Sequence, residues 1–79
     1  MKLGDLVEWR TRANEFAGEI VEVVPPGADP WKARVVRDTH YGISSFGRPR
    51  GHESYLVLVG KHLYWPRVSA LQLVGEAGR

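Results

Sequence analysis

Three histidines are the only side chains of this sequence with a strong tendency to bind a transition metal. They are His40, His52 and His62, and the 79-residue chain contains no cysteine. No two of them have the i, i+4 spacing of a helical zinc site or the alternate spacing of a strand site. The sequence therefore predicts neither a metal site nor any other cofactor, and it offers no thiolate nucleophile.

A second set of side chains has the residue types of a hydrolytic triad. Asp38, His40, Ser44 and Ser45 lie close together in the sequence. Nucleophilic catalysis needs a rigid arrangement of base and nucleophile, and donors for the oxyanion. A glycine-rich loop on a small domain gives little such support, so we expect a polar loop here. The protein is accordingly predicted not to be an enzyme.

The stretch GISSFGRPRG at residues 42–51 has glycines and basic side chains that suit phosphate. It is not a nucleotide-binding P-loop, because the lysine and the following helix start are absent. Residues 25–52 carry five basic and two acidic groups, net +3, with aromatic residues between them. Such cations meet backbone phosphates, and such rings stack on bases. The predicted nucleic-acid contacts are Trp31, Lys32, Arg34, Arg37, Tyr41, Phe46, Arg48 and Arg50. The alternative is a solvated loop whose aromatic side chains pack onto the rest of the domain.

The elements that position these residues are clearest in residues 53–74, ESYLVLVGKHLYWPRVSALQLV. YLVLV is typical of a strand, Gly60 begins a two-residue hairpin turn, and HLYW returns as the partner strand. Leu63 and Trp65 share one face of that strand, and we expect Trp65 in the core. Pro66 ends the ladder. VSAL then predicts one 3₁₀ or α turn before a short closing strand.

Two further strands are predicted before this hairpin. LVEWR at residues 6–10 alternates apolar and polar side chains, which places Val7 and Trp9 on a buried face. Residues 19–24 form the second strand. Its imperfect alternation indicates a β-bulge near Gly18.

The chain is predicted to be one domain over residues 1–74, followed by a flexible tail at residues 75–79. Residues 25–52 form a long basic loop inserted between the second and third strands, and a connection of this length must contain structure or serve a function. Within it, ARVVR at residues 33–37 suits either a short strand or a helical turn.

The order of GDLV, AGEIV, ESYLV and YWP followed by VSAL resembles that of SH3-like barrels. The resemblance omits residues 25–52. It implies an all-β, five-stranded SH3-like barrel with a long loop between strands 2 and 3 and a 3₁₀ turn before the last strand. The pattern is most similar to the small plasmid-borne (type II) dihydrofolate reductases and to KOW and Tudor-type modules.

The reductase resemblance depends on the residues before Pro66. In that family a Val-Gln-Ile-Tyr-Pro segment contacts folate and nicotinamide, and Leu63, Tyr64 and Trp65 stand at the matching positions here. Leucine has no amide to replace the glutamine, and tryptophan is much bulkier than tyrosine. The resemblance therefore supports a barrel and argues against folate chemistry, so reductase activity is the least favoured of three hypotheses.

HESYLV at residues 52–57 and YWPRVSAL at residues 64–71 are also similar to a group of short bacterial and phage proteins, a resemblance that implies no function. Our main hypothesis is a binding module whose partner is nucleic acid. The alternative is a protein-interaction or assembly module, with loop aromatics as anchors and barrel edges available for self-association as a homo-oligomer. The sequence shows no secretory leader and no long apolar run, so we expect a cytoplasmic protein without a membrane partner.

Overall fold

A computed structural model describes residues 1–37, 42–43 and 46–74. Its strands are β1 Leu6–Arg10, β2 Glu15–Val24, β3 Gly42–Ile43, β4 Ser54–Val59, β5 His62–Tyr64 and β6 Gln72–Leu73. The remaining described elements are 3₁₀ turns at Pro30–Lys32 and Val68–Ala70 and the short helix α1, Arg34–Arg37. The predicted all-β class is confirmed. None of the helices in the described ranges has the length and hydropathy of a membrane span.

The six described strands form one open sheet in the order β3-β5-β4-β2-β1-β6. All neighbouring pairs are antiparallel except β3 and β5, which are parallel. The predicted closed barrel of five strands is not confirmed, because the inserted segment at residues 25–52 adds β3 to the β5 edge. The Gly42 amide donates to the Lys61 carbonyl at 2.9 Å there, and the sheet ends at β3 and β6 instead of closing.

Both faces of the sheet are covered by apolar side chains. The buried members of the first core are Val7, Trp9, Ile20, Tyr55, Val57 and Leu71. The buried members of the second core are Val24, Val36, Phe46, Leu56, Leu63 and Trp65. Because Tyr55 and Val57 belong to the first core and Leu56 to the second, β4 is buried on both faces. This explains its continuous apolar run, which a strand with one wet face would not have.

The inserted segment, residues 25–52, supplies the covering of the second face. Val36 of α1 and Phe46 are buried in the second core, and Ala33, Val35 and Ile43 pack against it. Of the two structures predicted for residues 33–37, a short strand or a helical turn, the helical turn is observed as α1. It lets the neighbouring apolar side chains reach the sheet. In the described part of the insertion, Phe46 and the aliphatic side chains thus pack onto the domain, whereas four of the five basic side chains are exposed.

A β-bulge in β2 places its apolar side chains in both cores. The register against β4 shifts between Ile20 and Glu22, slightly beyond the bulge predicted near Gly18. Ile20 lies in the first core, whereas Val21 and Val24 pack in the second. The extra residue of the bulge therefore produces the imperfect alternation of this strand.

The C-terminal hairpin and closing strand follow the prediction. Gly60 has φ +61° and no non-glycine residue in the described ranges has a positive φ, which makes the Gly60-Lys61 connection a type II′ turn. The 3₁₀ turn at Val68–Ala70 precedes β6, which pairs with β1. Trp9 and Trp65 are 8% and 6% exposed, so their predicted core positions are confirmed. The predicted tail, residues 75–79, lies outside the described residues.

Candidate nucleic-acid interface

Four of the side chains around the insertion form a continuous stack, which we call the aromatic column. Trp31 packs on Phe46 with ring centroids 4.6 Å apart, and Phe46 meets Trp65 edge to face at 5.9 Å. The Arg50 guanidinium carbon lies 3.8 Å from the centroid of the Trp65 ring, a cation–π distance. Trp31 is 44% exposed at the outer end, whereas Phe46 is 5% exposed. The column therefore runs from solvent into the second core.

The backbone around Trp31 is held by a capped 3₁₀ turn. The Trp31 amide donates to Asp29 Oδ1 at 3.0 Å, and the Lys32 amide donates to the Asp29 carbonyl at 3.1 Å. Pro30, fully buried at the first position of the turn, fixes φ and lacks an amide that would need a partner. The sequence DPWK thus determines the local structure that presents the indole.

Arg50 clamps the inserted segment to the end of the C-terminal hairpin. Its Nη1 and Nη2 atoms donate to the carbonyls of Pro66 and Trp65, each at 2.8 Å. Its own carbonyl accepts from the Gly27 amide at 2.7 Å, so the two ends of the insertion are joined. Burial, and then the nearby charge of Arg67, lower the pKa of Arg50 from its ordinary value. Arg50 was predicted as a nucleic-acid contact, and the structure places it as a part-buried clamp.

Trp65 is held from its other side by a polar contact inside the protein. Its indole Nε1 donates to Ser54 Oγ at 2.8 Å, and Ser54 is fully buried. This bond satisfies the indole N–H, which is only a donor, and the hydroxyl oxygen is its acceptor. Ser54 was missed by the sequence reasoning, which has no signal that links a serine at the start of one strand to a tryptophan after another.

Four basic side chains of the described part of the insertion are open to solvent, as Trp31 is. Lys32, Arg34, Arg37 and Arg48 are all exposed. Lys32 directly follows Trp31 in the 3₁₀ turn, and Arg34 begins α1. The structure thus separates the predicted contacts into an exposed group, comprising these cations and Trp31, and a supporting group, Phe46 and Arg50. Tyr41 lies outside the described residues.

The histidines of the described chain lie on separate elements. His62 of β5 packs on Tyr64, with ring centroids 4.6 Å apart. His52 Nδ1 lies 3.0 Å from the carbonyl oxygen of Glu53, a local contact between neighbouring residues. Residues 1–37, 42–43 and 46–74 contain no group of three metal-ligating side chains. His40, and the possible triad residues Asp38, Ser44 and Ser45, lie outside the described residues.

A second group of aromatic rings lies on the first core, beside the β1–β2 hairpin. Trp9 stacks on its cross-strand partner Phe16 at 5.0 Å, and Tyr64 meets Trp9 and Phe16 at 5.7 and 5.1 Å. An open groove of about 630 Å³ runs beside Trp9 and Phe16 to Ala70 and Gln72. The sequence analysis missed this groove, although the hairpin register alone would pair Trp9 with Phe16.

The chain matches no known protein family model, no characterised protein sequence and no solved structure. The resemblances to SH3-like barrels and to dihydrofolate reductases therefore stay predictions. Of the three positions that the reductase resemblance aligned, Leu63 and Trp65 are buried in the second core and Tyr64 packs against the rings of the first. Any functional conclusion thus depends on the geometry of the molecule itself.

Proposed function

We propose that this protein is a non-enzymatic binding module that contacts nucleic acid through its inserted segment. The observation that carries the proposal is Trp31, whose indole is 44% exposed although it packs on Phe46. A large ring that is held in place yet open to solvent is a platform on which a base can stack. Stacking of a base on an aromatic side chain is worth about 1–3 kcal/mol.

The rigidity of the platform supports the proposal. A flexible side chain loses rotamer freedom when it binds, at about 0.5–1.5 kcal/mol for each immobilised group. Trp31 has lost much of that freedom already, because Phe46 and Trp65 lie beneath it and Asp29 caps its turn. A base that stacks on Trp31 therefore loses less of the stacking energy to side-chain ordering than a base that stacks on a flexible ring.

The charge around the platform favours a polyanion. Lys32, Arg34, Arg37 and Arg48 are exposed, and residues 25–52 have a net charge of +3. Asp29 is a nearby acid, and one of its carboxylate oxygens accepts from the Trp31 amide. Cations beside a stacked base are placed to meet the adjoining phosphates, and each phosphate contact adds to the salt dependence of binding.

The same geometry favours single strands over duplexes. Bases inside a duplex are already stacked on their neighbours, whereas Trp31 needs a base whose face is open. We therefore expect unpaired DNA or RNA to bind more tightly than a duplex of the same sequence.

Fluorescence anisotropy with labelled oligonucleotides of about 12 nucleotides tests the proposal. Single-stranded DNA, single-stranded RNA and duplex are titrated at about 50 and about 200 mM salt. Trp31→Ala should weaken binding by about 5- to 100-fold, which is the stacking energy expressed as affinity. Lys32→Gln should weaken binding and reduce its salt dependence. The matched control is Arg12→Gln, which removes the same charge from the exposed β1–β2 turn and should change neither the affinity nor its salt dependence. Absence of binding at the lower salt concentration would reject the proposal, as would equal losses in Lys32→Gln and Arg12→Gln.

We also infer that the open sheet is an elaborated form of the SH3-like barrel, in which the inserted β3 extends the sheet beyond β5. The inference is supported by the order of the last elements: the β4–β5 hairpin, Pro66, the 3₁₀ turn Val68–Ala70 and β6. It is supported further by the pairing of β6 with β1, which brings the first and last strands together. An experimental structure in which β6 lies away from β1 would contradict it.

A protein-interaction or assembly module is the second candidate function. The groove of about 630 Å³ beside Trp9 and Phe16 favours it, because aromatic side chains are typical anchors at protein interfaces. The two sheet edges, β3 and β6, offer only two residues each for strand pairing. Light scattering over a wide concentration range separates the candidates. A molar mass that rises with concentration and falls back in Phe16→Ala, without any affinity for oligonucleotides, would favour assembly.

A further inference from the structure

Two arginines converge on a groove at the far end of the aromatic column. The groove has a volume of about 810 Å³, and its lining residues are Arg50, His52, Glu53, Arg67, Val68 and Ser69. It lies between the end of the inserted segment and the 3₁₀ turn that precedes β6. The nucleic-acid surface proposed above does not include Arg67, Ser69 or this groove.

Arg50 presents its guanidinium in a fixed orientation. The ring of Trp65 lies 3.8 Å beneath it, and the carbonyls of Trp65 and Pro66 each accept one hydrogen bond at 2.8 Å. A guanidinium has five N–H donors, so within the described chain three of them are left for another acceptor. A planar donor fork that is already oriented loses little freedom when it binds an oxyanion.

Arg67 brings a second positive charge to the same groove. It is exposed, and no carboxylate of the described residues forms an ion pair with it. Its charge is close enough to Arg50 to contribute, after burial, to the lowered pKa of that guanidinium. Two cations held together without an intervening anion repel each other, and a bound anion removes that repulsion.

The remaining polar groups of the groove refine the chemistry of its ligand. The Ser69 hydroxyl, on the 3₁₀ turn Val68–Ala70, is a possible donor in the groove. Glu53 lines the groove as well, and its Oε2 accepts from the Tyr55 hydroxyl at 2.7 Å, so its charge opposes an anion. Bidentate donors favour tetrahedral or planar oxyanions over halides. These groups suit an oxyanion such as phosphate, and the charge of Glu53 lowers the affinity for it.

We propose that Arg50 and Arg67 form a phosphate site and that it takes a backbone phosphate of the nucleic acid whose base stacks on Trp31. The second part rests on the proposed function. The connection between the two places is the aromatic column, in which Trp31, Phe46, Trp65 and Arg50 make consecutive contacts. The consecutive separations of 4.6, 5.9 and 3.8 Å keep the Trp31 ring and the Arg50 guanidinium within about 15 Å of each other, so one single strand can reach both.

Two measurements test the site. In the first, inorganic phosphate is titrated into ¹⁵N-labelled protein at constant ionic strength, and the Nε–Hε resonances of the arginines are followed by NMR. Arg50 and Arg67 should shift along one saturable curve, and Arg67→Gln should weaken phosphate binding by about 5- to 10-fold. Glu53→Gln should strengthen it by about 2- to 5-fold. Arg12→Gln should leave it unchanged.

The second measurement is the salt dependence of single-strand binding. Loss of one phosphate contact in Arg67→Gln should reduce the slope of log K against log salt by about 0.7. Trp31→Ala should lower the affinity but leave the slope as it is, because stacking on an indole releases no counterion. Circular dichroism of each variant checks that the fold is retained.

Each outcome supports or overturns a different statement. If phosphate gives no saturable shift of Arg50 and Arg67, the site is rejected even when the protein binds oligonucleotides. If phosphate binds but Arg67→Gln has the wild-type slope, the groove holds a free anion and the backbone assignment is wrong. If the wild-type protein binds no oligonucleotide, the proposed function fails, and the NMR titration still decides whether the arginines bind phosphate.

Discussion

Arg50→Lys is the substitution that best tests how the inserted segment is attached. It keeps the positive charge but replaces the planar fork by a single ammonium group. A lysine at this position cannot donate to the carbonyls of both Trp65 and Pro66 with the geometry of Nη1 and Nη2 while its charge covers the Trp65 ring. We therefore expect Arg50→Lys to lose most of the stability that Arg50→Ala loses.

The magnitude follows from the contacts. Two hydrogen bonds of 2.8 Å from a charged donor contribute about 1 kcal/mol each here, at the low end because the group is only part-buried. The cation–π contact at 3.8 Å adds about 0.5–1 kcal/mol. Arg50→Ala should therefore reduce the free energy of unfolding by about 2.5–3 kcal/mol, and Arg50→Lys by about 1.5–2 kcal/mol. For a domain of this size each kcal/mol lowers the melting temperature by about 4–8 °C.

Urea unfolding followed by tryptophan fluorescence measures these differences, because Trp9 and Trp65 are buried in the folded protein and become exposed when it unfolds. Arg48→Ala is the matched control: it removes an exposed guanidinium two positions away and should change stability by less than about 0.5 kcal/mol. If Arg50→Lys were as stable as the wild type, net charge and not the guanidinium geometry would hold the insertion, and our reasoning would be wrong. Equal losses in Arg48→Ala and Arg50→Ala would refute it as well.

Three further substitutions test other parts of the fold. Gly18→Ala should cost about 1–3 kcal/mol, because an added Cβ would lie 2.3 Å from the Leu58 carbonyl oxygen. Phe46→Ala should cost about 3–5 kcal/mol, since it empties the second core between two tryptophans. Tyr55→Phe should cost about 1 kcal/mol at neutral pH through the lost hydrogen bond to Glu53. That bond, then burial and the charge of Glu53, raise the pKa of Tyr55 above its ordinary value of 10.0. The folded state then keeps the phenolic proton where the unfolded chain releases it, so stability should fall above about pH 10, and less steeply in Tyr55→Phe.

Each of these substitutions has its own control. Gly51→Ala meets nothing within 4 Å and should be neutral or stabilising by up to about 1 kcal/mol. Leu3→Ala, at a side chain that is 62% exposed, should change stability by less than about 0.5 kcal/mol. Urea unfolding at about pH 8 and about pH 11 measures the tyrosine effect. A Tyr55→Phe protein with the wild-type pH profile would show that Tyr55 does not titrate differently in the two states.

Local pattern was enough to predict most of the sheet. The alternating side chains of residues 6–10 and the apolar run before Gly60 are patterns of adjacent residues, so the sequence alone is enough to predict these strands. The same holds for the 3₁₀ turn after Pro66. The bulge of β2 was predicted in kind but a few residues early, because its position depends on the register against β4 and not on β2 alone.

The candidate site was predicted less well. Exposed cations and an aromatic residue beside them were visible in the sequence, but their division into an outer and a supporting group was not. Phe46 and Arg50 have the residue types of a binding surface, and the structure uses them to attach the insertion. The bond of Ser54 to Trp65 and the groove that Arg50 and Arg67 line depend on contacts between segments that are distant in the chain.

The sequence by itself determined the all-β class, the two-residue hairpin turn at Gly60 and the core positions of Trp9 and Trp65, because each follows from side-chain periodicity or from the conformational range of one residue. Only the tertiary structure decided that the insertion covers the second face of the sheet and that two arginines meet at its end. Burial on both faces of β4 and the approach of Arg50 to Trp65 are consequences of long-range packing, and no local pattern encodes which distant side chain fills a given space.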